Sequence, residues 1–222
     1  MIRRFFYYVY CFLHSVRINF MSFPIMTAIH FPILMGRNVK LIHTHKGAIE
    51  LQNPITPGMI KIGIDHAMIP QDGTYGFINI ARNGHIAFEG KANFNGATSI
   101  ICNEQAIIRF GKNFSSNQGC EFFSDLCIQF GDDVLIGWNC TFHDGDGHTV
   151  LNNGVISNPP KEIIIGSHVW IAAGCDFLKG SIISDGSVVA KRSLITSEFQ
   201  TPHQLIGGHP ARTLKNGIDW ER

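Results

Sequence analysis

Between residues 143 and 148 the chain reads His-Asp-Gly-Asp-Gly-His. Two imidazoles and two carboxylates fall within six residues, with glycines that permit tight bends. Histidine titrates near neutrality, so either ring could take a proton from a hydroxyl under attack. A neighbouring carboxylate, Asp144 or Asp146, could fix the tautomer of that base. Competing readings are weaker. The Asp-Gly-Asp-Gly string resembles part of a calcium loop, but Asn153 and Gly154 stand where its closing glutamate belongs. A zinc site shared between subunits needs three converging histidines, and the segment lacks that pattern, so no metal is expected. A solvated turn is the plain alternative.

Such a cluster needs a rigid support, and the sequence supplies a repeat. Ile165, Ile171, Phe177, Ile183, Val189 and Ile195 are six residues apart in unbroken phase. Small residues follow several of them: Gly166, Ala172, Ser184 and Ala190. Six is neither the 3.6 of a helix nor the simple two of an open-sheet strand. It suits a coil of very short strands, each turning one large side chain inward, with three strands closing a triangle. A sandwich of ordinary strands is the competing reading. Ile80 with Ile86, and Phe88, Phe94, Ile100 and Ala106, form earlier six-spaced series, and Phe130, Ile136 and Phe142 restore the phase after a shift. From Phe142 to Ile165 the interval is not a multiple of six. A polar, Gly- and Asn-rich excursion over 143–162 therefore leaves the coil, where chemistry is usually placed.

The bulk numbers limit the alternatives. With 222 residues and a formal net charge of +1, one domain is expected, with no overall pull toward nucleic acid. Six cysteines (Cys11, Cys102, Cys120, Cys127, Cys140, Cys175) show no CxxC pair and no zinc spacing. They read as free thiols in a reducing, cytoplasmic compartment. Residues 1–38 read as an amphipathic, partly helical appendage that packs on the coil's end or on a neighbouring subunit. The alternative for it is a weak peripheral membrane contact through Phe5, Phe6, Tyr7 and Tyr8 at the inner membrane face. Its apolar run is too short to span a bilayer. The coil itself is expected over 39–200, with candidate strands at 39–69, and a capping tail over 201–222.

The motifs I-I-I-G-S-H-V-W-I-A-A-G (163–174), L-K-G (178–180) and I-G-G-H-P-A-R (206–212) resemble those of hexapeptide-repeat acyltransferases, most of all the sugar O-acetyltransferases of surface-polysaccharide synthesis. The resemblance implies an all-β fold, a left-handed parallel β-helix, although the usual crossover rule favours the right hand. It implies an acetyl-CoA-dependent O-acetyltransferase with a carbohydrate acceptor, acting as a homotrimer with sites between subunits. Within its D-x-D-x-H motif, Asp144-Gly145-Asp146-Gly147-His148, it makes His148 the base; His143 lies one residue outside. It places Trp170 against the acetyl or acceptor end, lines the coenzyme A groove with Ala173, Lys191, Thr196 and Ser197, and brings Arg212 and Lys215 to the phosphates. Two departures bear on that groove: Lys191 stands where a small residue is usual, and His209 is added before Pro210. N-acetylation of an amino sugar or small amine is the second enzymatic reading. A non-catalytic scaffold is the reading from another class.

Overall fold

All six anchors from Ile165 to Ile195 point inward, each at most 1% exposed. In the computed structural model, which describes residues 2–52, 54–64 and 75–222 and side chains from residue 6 onward, the strands wind into a parallel solenoid of three faces. Face 1 runs from Ile33–Met35 to Gln204–Gly208, face 2 from Val39–His43 to Leu194–Ile195, and face 3 from Ile49–Leu51 to Glu198–Phe199. Successive strands of the solenoid visit faces 1, 2 and 3 in turn, so the parallel pairs join strands a full coil apart. The candidate strands of 39–69 appear as Val39–His43, Ile49–Leu51 and Ile60–Ile62, whereas 65–69 lie outside the described residues. The first coil starts at Ile33, ahead of the expected residue 39.

The register explains why the repeat of six fades toward the N-terminus. Phe177 pairs with Ile195, eighteen residues on, which is three hexads. Ile78 pairs with Ile100 and Ile100 with Phe122, twenty-two residues on. The early coils are larger, and their extra volume is filled by phenylalanine. Phe88, Phe110 and Phe130 stack up one side, the last two with rings 1° from parallel at 5.4 Å. Phe122, Phe142 and Phe177 stack up another, at 5.3 and 4.6 Å. Such pairs add to the burial of the rings themselves.

The small residue after an anchor answers the neighbouring coil. A Cβ on Gly111 would lie 2.2 Å from the Gly131 carbonyl oxygen, and one on Gly131 would lie 2.6 Å from the Ser167 nitrogen. All six cysteines are free thiols. Cys120, Cys140 and Cys175 rise along the corner between faces 1 and 2, their thiols donating to the Gly137, Ala172 and Ala190 carbonyls. A hydrogen bond with Cys120, and then burial, push Cys140 up to about 12, so Cys140 is a packing group, not a nucleophile.

Helix α1 (Ile2–Ser22) and the single turn α2 (Ile25–Ala28) close the first coil. At the other end, Ala211–Asn216 folds back antiparallel on Gln204–Gly208 and extends face 1.

Candidate active site

The excursion leaves the corner between faces 2 and 3. Phe142 pairs with Phe177, thirty-five residues away against eighteen in a regular coil, so the arm is an insertion and not a distorted turn. Its outer half is a hairpin, Leu151–Asn152 against Val155–Ile156, turned by Asn153 and Gly154, both with positive φ (51° and 79°). That is the Asn-Gly signal of a tight hairpin turn, which the sequence carried. The tip is apolar and bare: Leu151, Val155 and Ile156 are 59–69% exposed.

The two aspartates expected to orient the base are engaged in holding the arm. Asp144 is fully buried at the arm's root. It accepts hydrogen bonds from Ser124 Oγ (2.8 Å), the Asp125 amide (2.6 Å) and the Leu126 amide (3.1 Å). Burial raises its pKa despite those donors. Asp146 pairs with Lys179 of the following coil and accepts from Asn158 Nδ2; the ammonium holds its carboxyl below the usual range. The same Asn158 amide donates to the His148 carbonyl (2.8 Å), while its oxygen accepts from the Val150 amide (2.6 Å). The main chain on both sides of His148 is thus fixed. Its side chain is exposed, and among the described residues the imidazole has no hydrogen-bond partner. His143 faces elsewhere: it stacks on Phe123 and pairs with Glu121 on face 2 at 3.1 Å.

A groove of about 470 Å³ lies on face 1, toward its corner with face 2. Gly137, Ala172 and Ala173 form a floor of small residues; Trp138 and Trp170 supply aromatic walls, and Lys191 stands at the rim. Trp170 is 40% exposed and Lys191 is exposed. Arg212 and Lys215 follow on the strand that extends the same face. Thr196 and Ser197 do not join this group. They stand at the corner between faces 2 and 3, below the arm, between Leu194–Ile195 and Glu198–Phe199.

Sequence reasoning missed a clamp at the groove's other wall. Trp220 is buried and stacks on His168, with centroids 4.4 Å apart and planes 11° apart. Its Nε1 donates to the His168 carbonyl at 2.8 Å. Both ring nitrogens of His168 face oxygen, Nδ1 to Asp133 at 2.8 Å and Nε2 to the Trp220 carbonyl at 3.0 Å. Only the imidazolium donates from both, and the Asp133 bond accordingly raises the His168 pKa. Arg222 then reaches the Asn113 and Val134 carbonyls.

No protein-family model matches the chain. Galactoside O-acetyltransferase of Escherichia coli strain K12 is 32% identical over 119 residues, 52% of this chain and 57% of that protein. The polysialic acid O-acetyltransferase of Escherichia coli O1:K1 is 25% identical over 126 residues, 55% of this chain and 41% of that protein. The crystal structure of the polySia-specific acetyltransferase NeuO superposes with a TM-score of 0.58 at 21% identity, covering 86% of this chain and 79% of that one. The chain spans about half the length of the first curated relatives it matches. Its six-residue repeat and three parallel faces form the left-handed β-helix of the hexapeptide-repeat acetyltransferases, and over about half its length the chain is similar in sequence to such enzymes.

Proposed function

We propose that this protein is an acetyl-CoA-dependent O-acetyltransferase of a sugar hydroxyl, with His148 as the general base. Two named relatives support the chemistry, one a galactoside and one a polysialic acid O-acetyltransferase. The face 1 groove fits the donor: its small-residue floor leaves room for a thin arm, and Lys191, Arg212 and Lys215 offer cations along one edge for phosphates.

The observation that carries the reading is the position of the braced His148 relative to that groove. In a three-sided prism the corner between faces 2 and 3 lies opposite face 1. His148 and the Trp170 of its own chain therefore stand on opposite sides, and a site using both draws them from two copies. A homotrimer, each arm laid over the next chain's groove, also gives the apolar arm tip a surface to bury. It puts Thr196 and Ser197 on the His148 side of the shared cleft.

In this reading His148 takes the proton of the acceptor hydroxyl. The oxygen attacks the thioester carbonyl; a carbon–oxygen bond forms and the carbon–sulfur bond breaks. A backbone N–H of the groove stabilises the oxyanion, and the imidazolium returns its proton to the leaving thiolate. No acyl-enzyme is needed, consistent with cysteines that serve as packing.

The test is coenzyme A release from acetyl-CoA over a panel of hydroxyl and amino sugars. His148→Ala is expected to lower turnover by roughly 10²–10⁴-fold with an unchanged circular dichroism spectrum. Transfer at the parent rate would remove His148 from the reaction. Preference for amino sugars would move the activity to N-acetylation, and absence of acetyl-CoA binding would make the chain a scaffold.

A further inference from the structure

Helix α1 is inside out. Its inward residues are Cys11, Ser15, Ile18, Asn19 and Ser22, all fully buried, so all but Ile18 are small or polar. The reason lies in what they cover. The first coil of a solenoid presents a row of unpaired backbone groups, and the helix satisfies them with side chains. Asn19 bonds both the carbonyl and the amide of Ile33 (2.8 and 3.2 Å), and Ser15 Oγ accepts from the Met35 amide at 2.7 Å. His14 and Arg17 reach the Val39 and Leu41 carbonyls. The cap therefore spends its polar face on the protein.

The opposite stripe is apolar. Val9, Leu13, Val16 and Phe20 recur at helical spacing and are 38–63% exposed. Phe31 stacks on Phe12 at 4.0 Å and meets Phe20 edge-on, joining this stripe to α2, where Met26 is 71% exposed. Soluble helices show the reverse arrangement, and a continuous apolar patch of this kind marks a contact surface.

Charge selects the occupant. Six Lys or Arg and no Asp or Glu precede Glu50, whereas the rest of the chain carries 12 Lys or Arg against 17 Asp or Glu. Arg17 on α1 and Arg37 and Lys46 in the loops of the first coil are exposed at this end of the solenoid. A second copy of this end would bring like charges together; an anionic bilayer would bring opposite ones. Among the described residues no helix is long and apolar enough to cross a membrane.

We propose that the outward face of α1 and α2 seats the protein on an anionic lipid surface, with α1 lying in the plane of the headgroups and the solenoid standing away from it. Aromatic and aliphatic side chains on one stripe with flanking cations are the chemistry of interfacial helices. The acidic remainder of the chain is then directed away from the bilayer.

Flotation of the full chain with vesicles of phosphatidylcholine, with or without phosphatidylglycerol, tests this. Binding is expected only to the anionic vesicles, weaker at high salt, and reduced about tenfold or more by Leu13→Glu with Val16→Glu. The variant should keep the parent circular dichroism spectrum and molar mass. Should it misfold, Met26→Glu is the second probe, with the same expected direction. The proposal is overturned if the parent ignores anionic vesicles, if folded variants float like the parent, or if they dissociate an assembly that the vesicles never recruit, which would assign the face to a second copy.

Discussion

Asp146 on the arm pairs with Lys179 at the corner of the next coil, thirty-three residues along the chain. The bond ties an insertion to the scaffold it left, and Asn158 passes the restraint to the His148 main chain.

Breaking that pair should separate activity from stability. Exposed ion pairs contribute little to folding, so Lys179→Met is expected to move the melting temperature by no more than about 4 °C. Turnover should fall about tenfold or more, because small misplacement of a base is costly. Steady-state kinetics beside a thermal melt reads both. Parent activity in the variant would show that the brace does not position the base.

The His168–Trp220 clamp should loosen with alkali. Asp133 and the Trp220 carbonyl raise the His168 pKa above its ordinary 6.5; Asp219 also faces the ring at 3.6 Å, and Arg222 shares Asp133. A raised value means the clamp is fully held below the ordinary pKa and is lost as pH rises through the folded one. Hydrogen exchange across residues 217–222 should therefore quicken above neutrality beyond the intrinsic rise. His168→Phe, which keeps a ring but has no proton to lose, should abolish the extra slope. A parent profile following only the intrinsic rise would contradict the assignment.

Phe142→Ala should cost about 3–5 kcal/mol. The ring is fully buried, between Phe122 and Phe177, and a stacked column cannot collapse into the hole without shifting two coils. Urea denaturation provides the measurement; a loss below about 1 kcal/mol would mean the column repacks.

Gly131→Ala should destabilise by about 1–3 kcal/mol, although its φ is not positive. The added carbon would meet the Gly166 carbonyl carbon at 2.7 Å and the Ser167 nitrogen at 2.6 Å, so two coils must separate. A melting temperature equal to the parent's would show that the spacing relaxes freely.

The repeat was legible because an anchor every sixth residue follows from local geometry, as the burial of Ile165 through Ile195 shows. The early coils were harder to read. Their twenty-two-residue circuits carry the same inward rule with longer corners, so Ile100 and Phe122 are equivalent yet share no multiple of six. The arm was visible as a break in phase after Phe142. Its hairpin was announced by Asn153-Gly154, a signal outweighed by the polar surroundings. Residue roles were less accessible. Asp144 and Asp146 sit beside a histidine in the sequence, but their partners are Ser124 and Lys179, supplied by other coils. No local pattern connects His168 with Trp220, fifty-two residues apart. Phe5's side chain lies outside the described residues; Phe6 and Tyr8 are exposed, and further exposed apolar residues of α1 are Leu13, Val16 and Phe20.

Stacked coils ordinarily touch only the coil above and the coil below, so they can melt from an end one layer at a time. Arg222 departs from that scheme by gripping the Asn113 and Val134 carbonyls, 109 and 88 residues upstream. It straps layers far upstream in the chain. Fraying of the last layers must first release a tie to the middle of the column, so the C-terminal half resists unzipping as a block.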